Sequence, residues 1–564
     1  MSSHSLPKED EPLLLSQNKG LEPSKDSYNG CRQDANIEQA VTSSPDIPDH
    51  VDPDDHVERL GNTSLTILTI CLCTGAFLSA MDTSIVNTIF NVIGTEFHSA
   101  NLTVWIVVSY MLCTSSVQPL YGKLSDIFGR KTILTMIMCF FMIGSWLCGA
   151  SQNIVQMALA RALAGMGGGG LMIMSSVVIH DLVPIRQRGQ YQSYVNMAQT
   201  TGATIGAPLG GIINDFLGWR YCFYLNVPPC LFLLYIYAYR LNNYNIPKHS
   251  KPLDGLRDKL KRIDFGGSAL WLTVNLSFVA ATAMGGNTRE WNDPLVVGLL
   301  CVSGSAFVAF GAYELVCAKF PLISPRLIKN RNVAAVCLNN FFLNCSTMAL
   351  TYLMPQFFMG VLGYNPSAAG LWVLPRTGLT ALGCWAAGRY LRAVGRYRTF
   401  IRSTMVFHVL AVFAISQWTY DTPMWLRIIP MNLEGYCFGT VLVATMVALV
   451  ADIDSKDSAS ATSMIYLCRS TGWLMGSTVA STILQANLKT YLLNTITGED
   501  AEKIISFVRT SISEIQSLAP DIYQLVVAGL YSSIHKALRF ALLCSVCCFT
   551  TTLFLKNCQL KAKK

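Results

Sequence analysis

About fourteen apolar stretches, each long enough to cross a lipid bilayer, follow one another between Thr66 and Leu555. The hydrocarbon core of a bilayer is about 30 Å thick and a helix rises about 1.5 Å per residue, so a span needs about 20 apolar residues. Inside lipid, an isolated segment can pair its own backbone polar groups only as a helix. The stretches form groups of six, two and six. The sequence therefore predicts an all-α membrane protein with two six-helix halves and two accessory helices.

The connecting loops alternate in charge, and this alternation predicts which side of the membrane each loop occupies. Only 13% of the residues are charged while 51% are hydrophobic, too little charge to cover soluble domains. Lysine and arginine concentrate in every second loop, which the positive-inside rule assigns to the cytosol. Both termini are then cytosolic. Because this orientation accounts for the net charge of +8, we expect the bilayer and no nucleic acid as a partner.

The same pattern divides the chain into segments. We predict a disordered cytosolic tail over residues 1–62, an N-terminal six-helix half over 63–240, a basic cytosolic linker over 241–262, two accessory transmembrane helices over 263–318, a C-terminal six-helix half over 319–558 and a cytosolic C-terminus over 559–564. Within the last half, residues 487–536 form a long acidic segment on the non-cytosolic side. Its apolar residues recur at helical spacing, which predicts amphipathic helices against the outer face.

A tight glycine-flanked turn follows the second span. Its five key residues place one acid beside a basic cluster: Gly122, Asp126, Gly129, Arg130 and Lys131. Glycine lets helix ends approach closely, and Asp126 can pair with Arg130. The turn resembles the cytoplasmic loop signature of the major facilitator superfamily, secondary transporters built from two six-helix halves. A weaker copy from Gly388 to Arg398 places Arg392 where the first copy has Asp126.

Two ionisable residues lie deep inside the first half. Asp82 is in the first span, and Arg161 precedes a glycine run in the fourth. Because buried charges are expensive in lipid, both should face the bundle interior, and each is a natural partner for the other. The Arg161 segment is similar to the fourth-helix motif of proton-coupled facilitators, which implies a role in proton transfer. Asp82 and Asn87 resemble the first-helix signature of the fourteen-span drug:proton antiporter branch. A static ion pair is the structural alternative.

The fifth span carries a run of small residues around one proline: Gly202, Gly206, Pro208, Gly210 and Gly211. Such a run favours a kinked helix that packs closely on its neighbour. It resembles the motif typical of antiporters in the superfamily, although the proline stands one place later than usual.

In the second half, Glu434 and Arg469 are intramembrane, and Arg376 is assigned near a helix end. An acid facing the central cavity would suit a cationic substrate. Pairing between Glu434 and Arg469 is the competing structural interpretation. His180 and His408 are assigned to helix ends as neutral packing or interfacial groups.

The tail carries a short signal in which Glu9 precedes the leucine pair Leu13 and Leu14. It resembles an acidic dileucine sorting signal, which implies recognition by a sorting adaptor complex and delivery to vacuoles or lysosomes.

Several kinds of chemistry have no sequence support. The nineteen cysteines lie mostly in apolar runs. The sequence shows no metal-ligand cluster, no phosphate-binding loop and no Ser/His/Asp nucleophile set. We therefore expect no cofactor, no metal and no enzymatic activity.

From Thr66 to Leu555 the chain resembles the fourteen-span drug:proton antiporter branch, and Met81 to Pro229 with the dileucine most resembles fungal vacuolar basic amino acid transporters. The resemblance implies a transporter in the vacuolar membrane that exchanges lysine, arginine and histidine for protons; the sequence does not give the oligomeric state, and we expect a monomer. Asp82 and Arg161 would couple protons, and Asp82, Asn87, Glu434 and Arg469 would bind substrate. A plasma-membrane multidrug or polyamine antiporter and a non-transporting nutrient sensor are the alternatives.

Overall fold

The computed structural model describes residues 64–97, 104–242, 264–285, 289–318, 325–364, 366–453, 457–495, 508, 515 and 519–556. The sorting signal at Glu9, Leu13 and Leu14, nearly all of the linker over 241–262 and the last residues of the chain lie outside the described residues. So does most of the stretch between 496 and 518, where amphipathic helices were predicted. Its two described side chains, Val508 and Ile515, are buried among apolar residues of the C-terminal half.

The first half is built from long helices with short connections. They are α1 Leu65–Glu96, α2 Val104–Phe128, α3 Arg130–Ala150, α4 Ile154–Leu182, α5 Ile185–Leu217, α6 Trp219–Tyr224 and α7 Val227–Tyr235, which continues as a π-helical turn over Ile236–Arg240. The accessory pair follows, with α8 Phe265–Met284 and α9 Pro294–Val316. The second half contains α10 Pro325–Lys329, α11 Arg331–Gly360, α12 Pro366–Val394, α13 Tyr397–Ser416, α14 Met424–Val450, α15 Ser458–Thr495 and α16 Pro520–Thr552.

Ten spans in the described part of the chain are long and apolar enough to cross a membrane. Helices α2, α5, α12 and α15, of 25, 33, 29 and 38 residues, are as long but are not among these ten, and α5, α12 and α15 are more polar than any of the ten. These four helices pair across the boundary between the halves, α2 with α15 and α5 with α12. The polarity of α5, α12 and α15 is explained because one face of each helix contacts protein rather than lipid. The all-α membrane class is confirmed, and the count of fourteen spans stays a prediction.

Glycines allow α4 to pack tightly on two neighbours. A Cβ on Gly169 would lie 3.1 Å from the Thr114 Cα of α2, and one on Gly170 would lie 2.7 Å from the Ile137 Cγ2 of α3. Larger side chains would push these helices apart. The glycine run after Arg161 therefore sets the spacing of the three helices around that residue.

The second half repeats this contact. Gly165 of α4 packs on the Tyr110 backbone of α2, and a Cβ on Gly435 of α14 would lie 2.5 Å from the Arg376 carbonyl oxygen of α12. One turn further along, Gly439 packs on Thr380. The spacing of four residues is the same in both halves, so Tyr110 and Arg376 hold equivalent positions in an internal repeat.

The two halves meet at the helix ends predicted to be cytosolic. Ser176 Oγ of α4 lies 2.7 Å from Tyr466 Oη of α15, and His180 Nδ1 lies 3.3 Å from Thr462 Oγ1. At the second boundary between the halves, where α5 meets α12, a Cβ on Gly388 of α12 would lie 2.6 Å from Ser193 Oγ of α5. These contacts close the bundle at its predicted cytosolic side.

The accessory pair lies beside the boundary between the two halves. Trp271 of α8 and Phe310 of α9 have ring centroids 5.2 Å apart, and they pack with Leu120 of α2 and Leu467 of α15. The pair therefore contacts both halves where α2 meets α15.

Two expected positions are wrong. Arg376 lies well inside α12 rather than near its end, and His408 is fully buried in the middle of α13. Both errors have one cause: α12 and α13 bury polar side chains against neighbouring helices, a property that an apolar stretch does not reveal. His180 does lie near the end of α4, where it is buried between the halves.

Candidate functional site

A buried ion pair joins α1 to α4. The Arg161 Nη1 donates to Asp82 Oδ2 at 2.6 Å, and the two side chains are 1% and 2% exposed. Asn226, between α6 and α7, donates from Nδ2 to the other carboxylate oxygen at 3.0 Å. Both oxygens of Asp82 thus have a donor, which is the arrangement that makes a buried carboxylate tolerable. Asn226 is a member of the site that sequence reasoning did not single out.

The guanidinium of Arg161 is fixed by further contacts. It lies 4.2 Å from the ring centroid of Tyr110, and its Nε donates to the Ile106 carbonyl at 3.4 Å. The Tyr110 hydroxyl lies 3.1 Å from Ser79 Oγ, which donates to the Gly168 carbonyl at 3.1 Å. A cation held over an aromatic face gains electrostatic stabilisation when water is excluded.

The small residues of α5 bring it against α1 beside Asp82. A Cβ on Gly206 would lie 2.6 Å from the Met81 carbonyl oxygen, and one on Gly210 would lie 3.1 Å from Ile85. Gly202 meets the Phe77 backbone in the same way. The three glycines, spaced by four, form a seam against α1.

The other two members of that motif have different surroundings. Gly211 faces open space, since no heavy atom lies within 4 Å of the position that a Cβ would take. Pro208 belongs to α5, and its side chain is exposed. Asn87 of α1 is also exposed, so the structure does not bring it to the buried pair.

The second half contains its own buried acid. The Arg376 Nε donates to Glu434 Oε2 at 2.6 Å, and Thr347 Oγ1 donates to Oε1 at 2.9 Å. His408 Nε2 lies 3.6 Å from the same Oε1, and Glu434 is fully buried. Pairing between Glu434 and Arg469 is therefore wrong, because Arg376, placed well inside α12, takes that position.

Arg469 has neutral partners instead. Its Nε donates to Asn340 Oδ1 at 2.7 Å, its Nη2 donates to the Leu442 carbonyl at 2.8 Å, and its guanidinium lies 5.2 Å from the Tyr466 ring centroid. Within the described ranges no carboxylate forms an ion pair with Arg469. Among the residues that the structure describes, Arg469 is therefore a buried cation with neutral partners, one of which, Tyr466, also contacts Ser176.

The turn between α2 and α3 holds a chain of ion pairs centred on Arg130. Its Nη1 lies 2.8 Å from Asp126 Oδ1, and its Nε lies 2.7 Å from Asp181 Oδ2 at the end of α4. Arg130 also donates to Ser125 Oγ. Gly129 precedes α3 with a φ of 88°, which favours glycine. Asp181 is a member of this cluster that the sequence did not reveal.

Gly122 contacts the second half, and Lys123 lies near charges of the accessory pair. A Cβ on Gly122 would lie 2.8 Å from the Ala459 carbonyl oxygen of α15, and Lys131 is half-buried in the first turn of α3. Burial lowers the pKa of Lys123 to about 8, against the opposing effect of Glu314 and Asp264. Since those two acids belong to the accessory pair, its charges reach the turn.

Burial also dominates the titration of Asp126, which lies past the predicted end of the second span. Desolvation raises the pKa of Asp126 to about 6, Arg130 lowers it and Asp181 raises it. The carboxylate is therefore held charged at neutral pH chiefly by its contact with Arg130.

The second copy of the turn makes a different contact. The Arg392 Nη1 donates to Gln190 Oε1 at 2.6 Å, and this bond joins α12 to α5 across the boundary between the halves. The basic residue that replaces the acid thus contributes to closure directly.

A family model described as Major Facilitator Superfamily matches residues 72–477. The chain belongs to this superfamily. The fold agrees, since a structure of the proton:xylose symporter XylE superposes with a TM-score of 0.52 at 16% identity, covering 80% of this chain and 94% of that one.

Two relatives from Schizosaccharomyces pombe carry informative names. "Multidrug resistance protein fnx1" is 33% identical over 474 residues, covering 83% of this chain and 88% of the relative. "Vacuolar membrane amino acid uptake transporter fnx2" is 31% identical over 486 residues, covering 86% and 83%. The chain is accordingly a multi-pass membrane transporter and not an enzyme. Within the described residues no group of three or more His, Cys, Asp and Glu side chains is placed to hold a metal.

Proposed function

We propose that this transporter is a proton-coupled antiporter that moves lysine, arginine and histidine from the cytosol into the vacuole. The observation that carries the proposal is the Asp82–Arg161 pair, buried where the glycine seam of α5 meets α1. Intramembrane ionisable residues in transporters mark ion and substrate pathways. The vacuolar destination is supported by the name of the relative fnx2 and by the dileucine sequence of the tail.

The mechanism is alternating access, in which the two halves rock about a central site. With Asp82 charged, the pair is neutral. A proton on Asp82 leaves Arg161 as a buried, uncompensated cation, so protonation changes which conformation is favoured. A cationic substrate and a proton compete for one carboxylate, and such competition produces exchange rather than joint transport.

Substrate charges are divided between the halves. The cationic group of the amino acid would contact Asp82, and its α-carboxylate would contact Arg469, whose partners are neutral. Glu434 was expected to receive the cationic group. Arg376 and Thr347 donate to the two oxygens of Glu434, as Arg161 and Asn226 donate to those of Asp82, so a cationic group would contact either acid only after one of its donors moves. The loop residues Gly122, Asp126, Gly129, Arg130 and Lys131 would form the cytosolic gate.

Uptake of labelled lysine, arginine and histidine into vacuolar vesicles tests this proposal. Vesicles from cells with and without the protein are compared, with the proton gradient intact or collapsed by an uncoupler. Uptake that depends on the protein and disappears on uncoupling is expected. No difference between the vesicles would overturn it.

The name of the relative fnx1 favours a second candidate, export of drugs or polyamines at the plasma membrane. That function predicts surface localisation and drug resistance on overexpression, without vacuolar storage of amino acids. Binding of amino acids without flux would instead indicate a sensor.

A further inference from the structure

We propose that His408 and Glu434 form a second proton-binding site, separate from Asp82, in the C-terminal half. The inference rests on the proposed proton-coupled function and adds a second titrating group to the cycle. Its basis is the geometry of five side chains contributed by five helices.

His408 has one occupied and one vacant ring nitrogen. Its Nδ1 lies 2.8 Å from Ser545 Oγ of α16. Its Nε2 is buried, has no hydrogen-bond partner among the described residues, and lies 3.6 Å from Glu434 Oε1. That separation is too long for a hydrogen bond, yet a small movement would close it. In the tautomer with hydrogen on Nδ1, Nε2 presents its lone pair to the carboxylate.

A proton completes this arrangement. When a proton from water binds the ring nitrogen that lacks a hydrogen, both ring nitrogens become donors, and the Nε2–H of the imidazolium can donate to Glu434 Oε1 as an ion pair. Release returns the proton to water on the other side of the membrane, and no covalent bond between heavy atoms changes. Histidine suits this step because its neutral ring has one nitrogen that can accept a proton, and the imidazolium can release it again.

The surrounding groups leave room for one added charge. Arg376 faces Glu434 from α12, Thr347 faces it from α11, and Cys437 lies one turn along α14. Arg376 and Glu434 are the charged members and cancel each other, so the cluster is neutral before the proton arrives. Arg376 Nη2 also lacks a partner among the described residues. Two buried nitrogen atoms of one cluster thus lack a hydrogen-bond partner among the described residues. This indicates that the cluster forms further hydrogen bonds in another state of the transport cycle.

The internal repeat supports the assignment. Arg376 stands in α12 where Tyr110 stands in α2: Tyr110 contacts Arg161 of the first pair, and Arg376 is itself a member of the second. Each half therefore contains one buried acid–arginine pair beside this equivalent position. His408 gives the second pair a titratable base.

A direct titration tests proton binding independently of transport. Purified wild-type protein and His408→Gln are titrated potentiometrically in detergent between pH 5 and pH 8, with folding checked by thermal unfolding. The folded wild type is expected to bind about one proton more than the variant. His535→Gln, at a half-buried histidine bonded to the Trp418 carbonyl, is the matched control for loss of a ring. Equal proton binding by wild type and His408→Gln would overturn the proposal.

The transport cycle supplies the second readout. In proteoliposomes, the ratio of protons to lysine is expected to fall by about one in His408→Gln, with one step lost from the pH profile of uptake. An unchanged ratio and profile would overturn the role in the cycle. If His408→Gln does not fold, Ser545→Ala decides, because loss of the Nδ1 partner should displace the pH profile. A wild type that moves lysine without protons would instead contradict the proposed function.

Discussion

Arg161 and Asp82, 79 residues apart in the chain, form an ion pair of 2.6 Å between α4 and α1 in which neither side chain is more than 2% exposed. Such a pair contributes little net stability, because desolvation of two charges opposes their attraction. Removing one partner, in contrast, leaves an isolated buried charge. The pair is therefore suited to respond to a proton.

Asp82→Asn should abolish proton-coupled uptake while leaving the protein folded. The amide oxygen can replace only one of the two carboxylate oxygens that accept from Arg161 and Asn226, and the side chain cannot bind and release a proton. Uptake of labelled lysine by vesicles should fall to the level of membranes without the protein. Asp215→Asn, at an exposed acid near the end of α5, is the control. Normal uptake by a correctly localised Asp82→Asn protein would remove Asp82 from the mechanism.

The seam between α1 and α5 provides a matched pair of glycine substitutions. Gly206→Val should separate the helices, since even its Cβ would lie 2.6 Å from the Met81 carbonyl and 2.7 Å from Ser84 Cβ. Overpacking of this kind costs about 1–3 kcal/mol. Gly211→Val, in the same motif but facing open space, should leave thermal stability and uptake nearly unchanged. Similar losses in both variants would show that the seam is not the cause.

Asp126 should make stability in detergent depend on acidity. Its pKa is raised by burial from 3.8 to about 6, so the folded protein binds this proton more tightly than the unfolded chain does. Relative to Asp126→Asn, the wild type gains stability that is fully present below about pH 4 and lost as the pH rises through about 6. Melting temperatures measured from pH 4 to pH 8 check this.

The control for that series is Glu290→Gln, at a side chain that is 78% exposed. Its melting temperature should follow the wild type at every pH. A difference between wild type and Asp126→Asn that stays constant across the range would contradict the assignment.

The accessory pair should stabilise the contact between α2 and α15 at the predicted cytosolic side. Trp271→Ala removes the ring that packs with Phe310, Leu120 and Leu467, and truncation of a buried Trp typically costs about 3–5 kcal/mol in soluble cores. A lower melting temperature and slower uptake are expected. Leu272→Ala changes the neighbouring exposed side chain and should have little effect. Equal effects of the two variants would exclude a role for the seam contact.

The sequence predicted the class of fold and one buried pair for the same physical reason. Long apolar runs require helices in lipid, and charges inside those runs require partners. With one acid in the first span and one arginine in the fourth, Asp82 and Arg161 had few alternatives, and the structure brings them together. The roles assigned to them stay predictions.

In the second half the same argument was not sufficient. Glu434 had two candidate arginines, and the choice of Arg376 over Arg469 depends on the rotation of α12 and α15 about their axes. Hydropathy does not fix that rotation. The position of His408 was predicted wrongly for a related reason, because a lone histidine in an apolar helix carries no sign of the acid on the next helix.

The most direct test of the account measures protons and substrate together. The purified protein is reconstituted into liposomes that contain a trapped pH indicator, and lysine is added outside under an inward-acid gradient. Lysine entry accompanied by proton exit is expected in the wild type, with neither flux in Asp82→Asn. Lysine entry without proton movement, or equal fluxes in the two proteins, would contradict proton-coupled antiport through Asp82.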